Sequence, residues 1–141
     1  MVYLDFLPVQ KRLGYDRISE EKGVTMSKLL DDLRAWGADV DGGMARMYAD
    51  EEFYTKCLRI FETDESFTAL DNAMAAQNYE DAFSAVHTLK GVAGNLSLEP
   101  LYKSLCAMTE KLRTKIYTGV EPYYQDVKSR ETEFLDILKK N

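Results

Sequence analysis

The chain contains one histidine, His87, and the residues around it have the types and spacing for reversible chemistry at an imidazole. A lone imidazole excludes sites that need two, among them the His-x-x-x-His zinc helices and the paired Glu-x-x-His di-iron bundles. Three residues on stands Lys90, the one formal charge between Ala82 and Leu98. A cation one helical turn from an imidazole favours the neutral, nucleophilic ring and would neutralise a phosphoryl group attached to it. Gly91 and Gly94 follow. Inside a helix each glycine costs about 1 kcal/mol relative to alanine, and the missing side chains let another molecule's backbone approach closely. The other account of Gly94 is a helix that simply ends at Gly94-Asn95, a good C-terminal signal. On spacing alone both accounts stand.

The helical wheel separates these residues from the core. At about 100° per residue, Ala82, Val86, Leu89, Ala93 and Leu96 fall on one side, as the seam of a bundle requires. His87 lies on the other side, with Phe83, Lys90, Gly91 and Gly94 inside the same quadrant. Phe83 is therefore a candidate for an apolar docking rim, with half-buried packing against a neighbouring helix as the alternative. Ser84 is a second rim candidate.

The elements that must position this helix read as all-helical. There are three prolines and eight glycines in 141 residues, strand-type alternation is absent, and apolar residues recur at three and four. Ser27 is a good N-cap for a helix carrying Leu29, Leu30, Leu33 and Trp36 and ending at Gly37. Asp41 and Asp50 read as the next two caps. They open a short helix around Met44 to Ala49 and a longer one from Glu51 to about Glu62, with Phe53, Cys57, Leu58, Ile60 and Phe61 inward. Asp64 caps a helix with Phe67, Leu70, Ala73 and Met74 that ends near Asn78. The His87 helix spans 79 to 96. Pro100 opens a helix with Leu101, Leu105, Met108, Leu112 and Ile116, running to Thr118, and Pro122 opens a last one with Tyr124, Val127, Phe134, Leu135 and Leu138. Long amphipathic helices on short loops predict an antiparallel four-helix bundle with an additional N-terminal helical segment. The division is an extension over 1–24 and a bundle over 25–141.

Composition narrows the function further. The 18 Lys and Arg against 24 Asp and Glu leave a net charge of -6 and no basic stripe, which argues against nucleic acid as the partner. Asp5 and Pro8 interrupt what would have to be the apolar region of a signal peptide, and no apolar run is long enough to span a membrane. Cys57 and Cys106 read as reduced core residues, which fits the cytoplasm. Neither a nucleophile elbow for a Ser-His-Asp hydrolase nor a glycine-rich phosphate loop is present.

Taken together, His87-Thr88-Leu89-Lys90-Gly91-Val92-Ala93-Gly94-Asn95-Leu96 resembles the signature of the histidine-containing phosphotransfer (HPt) domain family, phosphocarriers of multistep two-component signalling. The upstream run GADVDGGMARMYADEEFYTKCLRIF is similar to the family's run-in, and the resemblance covers residues 33 to 116. Where the family commonly has a further glycine this chain has Ser97, and residues 1–24 have no counterpart. The resemblance implies a phosphorylatable His87 on a four-helix bundle, with Lys90 as stabilising cation and Gly91 and Gly94 as clearance for the partner. It implies exchange with the aspartyl phosphate of receiver domains, one of them possible in a hybrid histidine kinase, with no kinase activity of the chain's own. The chain offers no carboxylate cluster near His87, so Mg²⁺ is expected from the receiver. The expected protein is a free-standing, monomeric, cytoplasmic carrier of the bacterial type. The competing expectation is a helical adaptor that binds a receiver or kinase without being phosphorylated, which a buried His87 would favour.

Overall fold

The computed structural model describes residues 28–141. The extension over 1–24 and the Ser27 cap lie outside the described residues. The first helix, α1, covers 28–36 with Leu29, Leu30 and Leu33 buried. It closes at Gly37, whose φ of +116° and a contact with Pro100 Cγ at 3.1 Å from where a Cβ would sit both suit glycine.

The second helix, α2 (Val40–Arg46), is capped by Asp39, whose side chain accepts from the Gly42 N–H at 3.1 Å. Asp41, expected as the cap, lies in the first turn and pairs with Arg34 at 3.1 Å. Either aspartate suits the spacing, and the backbone chooses the earlier one because Asp39 N–H is tied to Ser97 O at 2.9 Å. Helix α2 thus begins and ends earlier than expected, and Tyr48 and Ala49 follow it in left-handed conformation.

Helix α3 (Glu51–Glu62) is capped by Asp50 as expected. Its buried face is Tyr54, Leu58 and Phe61, an i, i+4, i+7 stripe. Phe53 and Ile60, expected inward, face solvent, Ile60 at 63% exposure. The stripe has room for one residue per turn, and Tyr54 takes the place assigned to Phe53. Helix α4 (Glu65–Ala75) buries Phe67, Leu70, Ala73 and Met74 under its Asp64 cap. It stops at Ala76 and the left-handed Gln77, which frees Asn78 to cap the next helix.

Helices α5 (Tyr79–Asn95), α6 (Glu99–Arg113) and α7 (Glu121–Lys140) complete the bundle, α6 and α7 each with a proline in the first turn. Helix α6 is shorter than expected. Its chain turns through left-handed Lys115, so Ile116 leaves the stripe and is exposed.

Helices α3 and α4 follow one another along α7: the Phe61 ring lies 5.7 Å from that of Phe134, and Asp71 accepts from Tyr124 at 2.6 Å and from Lys128 at 2.9 Å. Helix α5 packs between α4 and α6, and α6 packs on α7, which closes an antiparallel bundle of four sides. Trp36 of α1 stacks on Phe134 and donates to Glu133 at 2.8 Å, covering one end. Lys128 also holds the buried Glu131, whose carboxyl is pushed above its ordinary range by burial against the pull of that ammonium. Cys57 and Cys106 are free thiols, half-buried at the edge of the core rather than within it.

The end of α5 is gripped from outside the bundle. Leu98 N–H reaches Ala93 O at 3.0 Å and Ser97 N–H reaches Gly94 O at 3.1 Å, the paired bonds of a helix ending in a left-handed residue. That residue is Ser97 at φ 56°, a backbone conformation in which glycine would carry no strain. Arg46 donates to Ser97 Oγ and to Gly94 O. Gly43 packs so near Leu96 O that a Cβ would sit 2.7 Å from it. Tyr54 donates its hydroxyl to Leu96 O at 2.7 Å inside the core, and burial pushes that hydroxyl far above its ordinary range, so it remains a donor. The run-in of α2 and α3 is therefore a clamp on the helix that carries His87.

Tyr54→Phe leaves the Leu96 carbonyl buried without its donor and should cost about 1–3 kcal/mol in urea unfolding. Ser97→Gly should exceed Ser97→Ala in stability by about 1 kcal/mol in the same measurement, because only the alanine retains a Cβ in left-handed backbone.

Candidate functional site

Helix α5 is laid out so that one face is core and the other is available. Asn78 accepts from Asp81 N–H at 3.2 Å to open it, and Glu80 and Asp81 suit the positive end of its dipole. Ala82, Ala85, Val86, Leu89 and Ala93 are buried, as the wheel places them. His87 is exposed, with no hydrogen bond to any described residue. The imidazole is thus free to react at either nitrogen.

The expected rim residues occupy opposite flanks of His87. Phe83 is half-buried on the side of α6, its ring centroid 6.0 Å from that of His87 and tilted by 46°. It both packs on the core and borders the imidazole, so the two readings of its position describe two edges of one ring. Ser84 is exposed and, with Thr88, lines a groove of about 610 Å³ between α5 and α4, whose far wall is Ala69, Asn72 and Ala73.

Lys90 is half-buried and has no ion-pair partner among the described residues. An ammonium so placed is uncommitted and one turn from the imidazole. Together with Arg46, Gly91, Gly94, Asn95, Glu99 and Tyr102 it lines a groove of about 360 Å³.

The two glycines differ. A Cβ at Gly91 would meet nothing within 4 Å, so that position is open to an incoming surface. A Cβ at Gly94 would lie 2.9 Å from Cε1 of Tyr102, so the space above Gly94 is already filled by a ring from α6. Gly94 also stands in the last turn of the helix, with its carbonyl in the clamp. Open space lies over Gly91, whereas at Gly94 an internal contact is met first.

Two residues near the site were not singled out from the sequence. Arg113 of α6 holds its guanidinium carbon 5.3 Å from the centre of the Phe83 ring, and Tyr117 beyond α6 stacks on Tyr79 at 4.3 Å. Both lie more than twenty residues from His87, and only the antiparallel register of α5 and α6 brings them near it.

Among the described residues no three His, Cys, Asp or Glu side chains are grouped as metal ligands would be, and no helix is long and apolar enough to cross a membrane. Residues 60–119 match the family model of the Hpt domain. The match takes in the end of α3 and the whole of α4, α5 and α6, hence His87 and its flanks. No curated protein and no solved structure matches the chain.

The difference between the glycines is measurable. Gly91→Ala should raise the stability by up to about 1 kcal/mol, the helix-propensity gain with no steric charge against it. Gly94→Ala should gain less or lose, since the Tyr102 ring must turn away. Equal gains in thermal unfolding would contradict the packing at Gly94.

Proposed function

We propose that this chain, with its Hpt domain match at residues 60–119, is a histidine phosphocarrier of a two-component phosphorelay, His87 being the phosphoacceptor. The observation that carries the reading is an exposed His87 with no hydrogen bond among the described residues, one helical turn from Lys90 and from the open surface at Gly91. An exposed His87 speaks against an unphosphorylated adaptor, which stable binding of a receiver with no transfer would instead favour.

The step needs positioning and charge neutralisation more than covalent machinery. A nitrogen of neutral His87 attacks phosphorus in the aspartyl phosphate of a receiver, in line with the breaking P–O bond. A P–N bond forms, and the aspartate leaves as carboxylate with the electron pair. The reverse step delivers the phosphoryl group to the aspartate of a second receiver. Helix α5, clamped at its end, holds the backbone of His87 in a fixed place on the bundle. Lys90 offsets the charge that arrives with the phosphoryl group, and Gly91 lets the receiver's backbone close over the helix.

The aspartate and Mg²⁺ are assigned to the receiver, whose acidic site suits a divalent ion as this face of α5 does not. The chain then has no kinase activity of its own. The same reading places it in the cytoplasm as a monomer, meeting receivers that include one borne by a hybrid kinase.

On incubation with a phosphorylated receiver the chain should take up an acid-labile label. His87→Gln should take up none, and equal labelling of that variant would overturn the assignment. Lys90→Ala should slow uptake by about tenfold or more, as loss of a group that stabilises developing charge does. Gly91→Leu should slow it by about tenfold with the unfolding transition at or above that of wild type, since one tenfold step corresponds to about 1.4 kcal/mol of lost approach; wild-type rates in Gly91→Leu would contradict clearance at that position.

A further inference from the structure

The two flanks of His87 differ in chemistry. Toward α4, the groove is lined by small and uncharged side chains such as Ala69, Asn72, Ser84 and Thr88, with Asp81 at its edge and no arginine or lysine. Toward α6, Tyr79 stacks on Tyr117 at 4.3 Å and 21°, and Phe83 lies under the guanidinium of Arg113. These are the residue types that dominate binding energy in protein interfaces, where tyrosine and arginine are over-represented among the side chains whose loss costs most.

The α6 flank is also continuous with the imidazole. Tyr79, Phe83 and His87 stand four residues apart on one face of α5, and Arg113 and Tyr117 stand four apart in the segment facing them. The pairs 79 with 117 and 83 with 113 step in opposite directions at the same rate, as antiparallel neighbours must. Aromatic rings and a cation therefore form a single band that ends at His87.

Arg113 is held in place without being used up. Its one ion pair among the described residues is with Glu110 at 3.4 Å, both side chains more than half exposed, a kind of contact worth little in water. The guanidinium carbon lies 5.3 Å from the centre of the Phe83 ring, and the side chain is still more than half exposed. A planar cation beside an aromatic ring suits a carboxylate on an approaching surface better than a solvated lysine would.

We infer that the receiver docks across the α5–α6 seam, with Arg113 over Phe83 as the specificity-determining cation and the Tyr79–Tyr117 stack as its apolar outer edge. The partner surface is a receiver face with a carboxylate about one helical turn from the phosphoaspartate and an apolar patch about two turns from it. This deepens the phosphocarrier reading and rests on it. Arg113 acts on docking and not on the reacting phosphorus.

The test is a titration of purified receiver domains against wild type, Arg113→Ala, Arg113→Lys, Tyr117→Ala and Asn72→Ala, reading both phosphoryl uptake at His87 and equilibrium binding of the unphosphorylated receiver. Arg113→Ala should raise the half-saturating receiver concentration by about tenfold, the scale of an interface hot spot, while uptake at saturation stays at the wild-type rate. Arg113→Lys should fall between, Tyr117→Ala should raise it several-fold, and Asn72→Ala should not move it. Added salt should weaken wild-type binding more than Arg113→Ala binding. Unchanged half-saturation in Arg113→Ala and Tyr117→Ala, or a rise in Asn72→Ala alone, overturns the inference. Absence of label on wild-type His87 defeats the phosphocarrier reading instead, and the binding titration still decides where the receiver sits.

Discussion

The buried hydrogen bond from Tyr54 to the Leu96 carbonyl holds the reactive helix where the rest of the structure needs it. A helix terminus leaves carbonyls without partners, and a terminus inside a core must find them elsewhere. Here the partners come from α2 and α3: the Tyr54 hydroxyl, the Asp39 N–H and the Arg46 guanidinium. Gly43 lets α2 lie against the same carbonyl. An arginine at this end also opposes the negative pole of the helix. Helix α5 is thereby fixed in rotation as well as in position, and rotation decides which residues face solvent.

With rotation fixed, the division of labour on α5 follows from its period. The alanines, Val86 and Leu89 enter the core, where close packing leaves no room for a second orientation. The opposite face then carries the imidazole, an ammonium and bare backbone. Among the described residues none hydrogen-bonds His87, and only the Phe83 ring lies against it. The small residues of α5 serve inward and outward uses at once: Ala82, Ala85 and Ala93 let neighbouring helices approach, Gly94 admits Tyr102, and Gly91 leaves an opening.

Most of the bundle was legible in the sequence because its signals are local. Asp50 and Asp64 cap helices within three residues, Pro100 and Pro122 open them, and the seam of α5 appears in its own spacing. What escaped is long-range. Asp39 rather than Asp41 is the cap because of a bond to Ser97, nearly sixty residues away. Phe53 and Ile60 look like core residues until Tyr54, an amphipathic side chain with a distant acceptor, takes the inward position. In the candidate site, His87, Lys90 and the glycines share one helix and are readable from spacing. Arg113 and Tyr117 become visible only in the register between helices. The opposite fates of Gly91 and Gly94 depend on one tyrosine ring from α6.

The phosphocarrier function rests on a phosphoryl group bonded to one nitrogen in this chain. Phosphorus NMR after incubation with a phosphorylated receiver, followed by mapping of the modified residue by mass spectrometry under alkaline conditions, reads that bond directly. A phosphoramidate resonance that vanishes on acidification, with the added mass on His87 alone, is the predicted result. An acid-stable phosphate on a hydroxyl, or no modification while the receiver's aspartyl phosphate decays at its own rate, would contradict it.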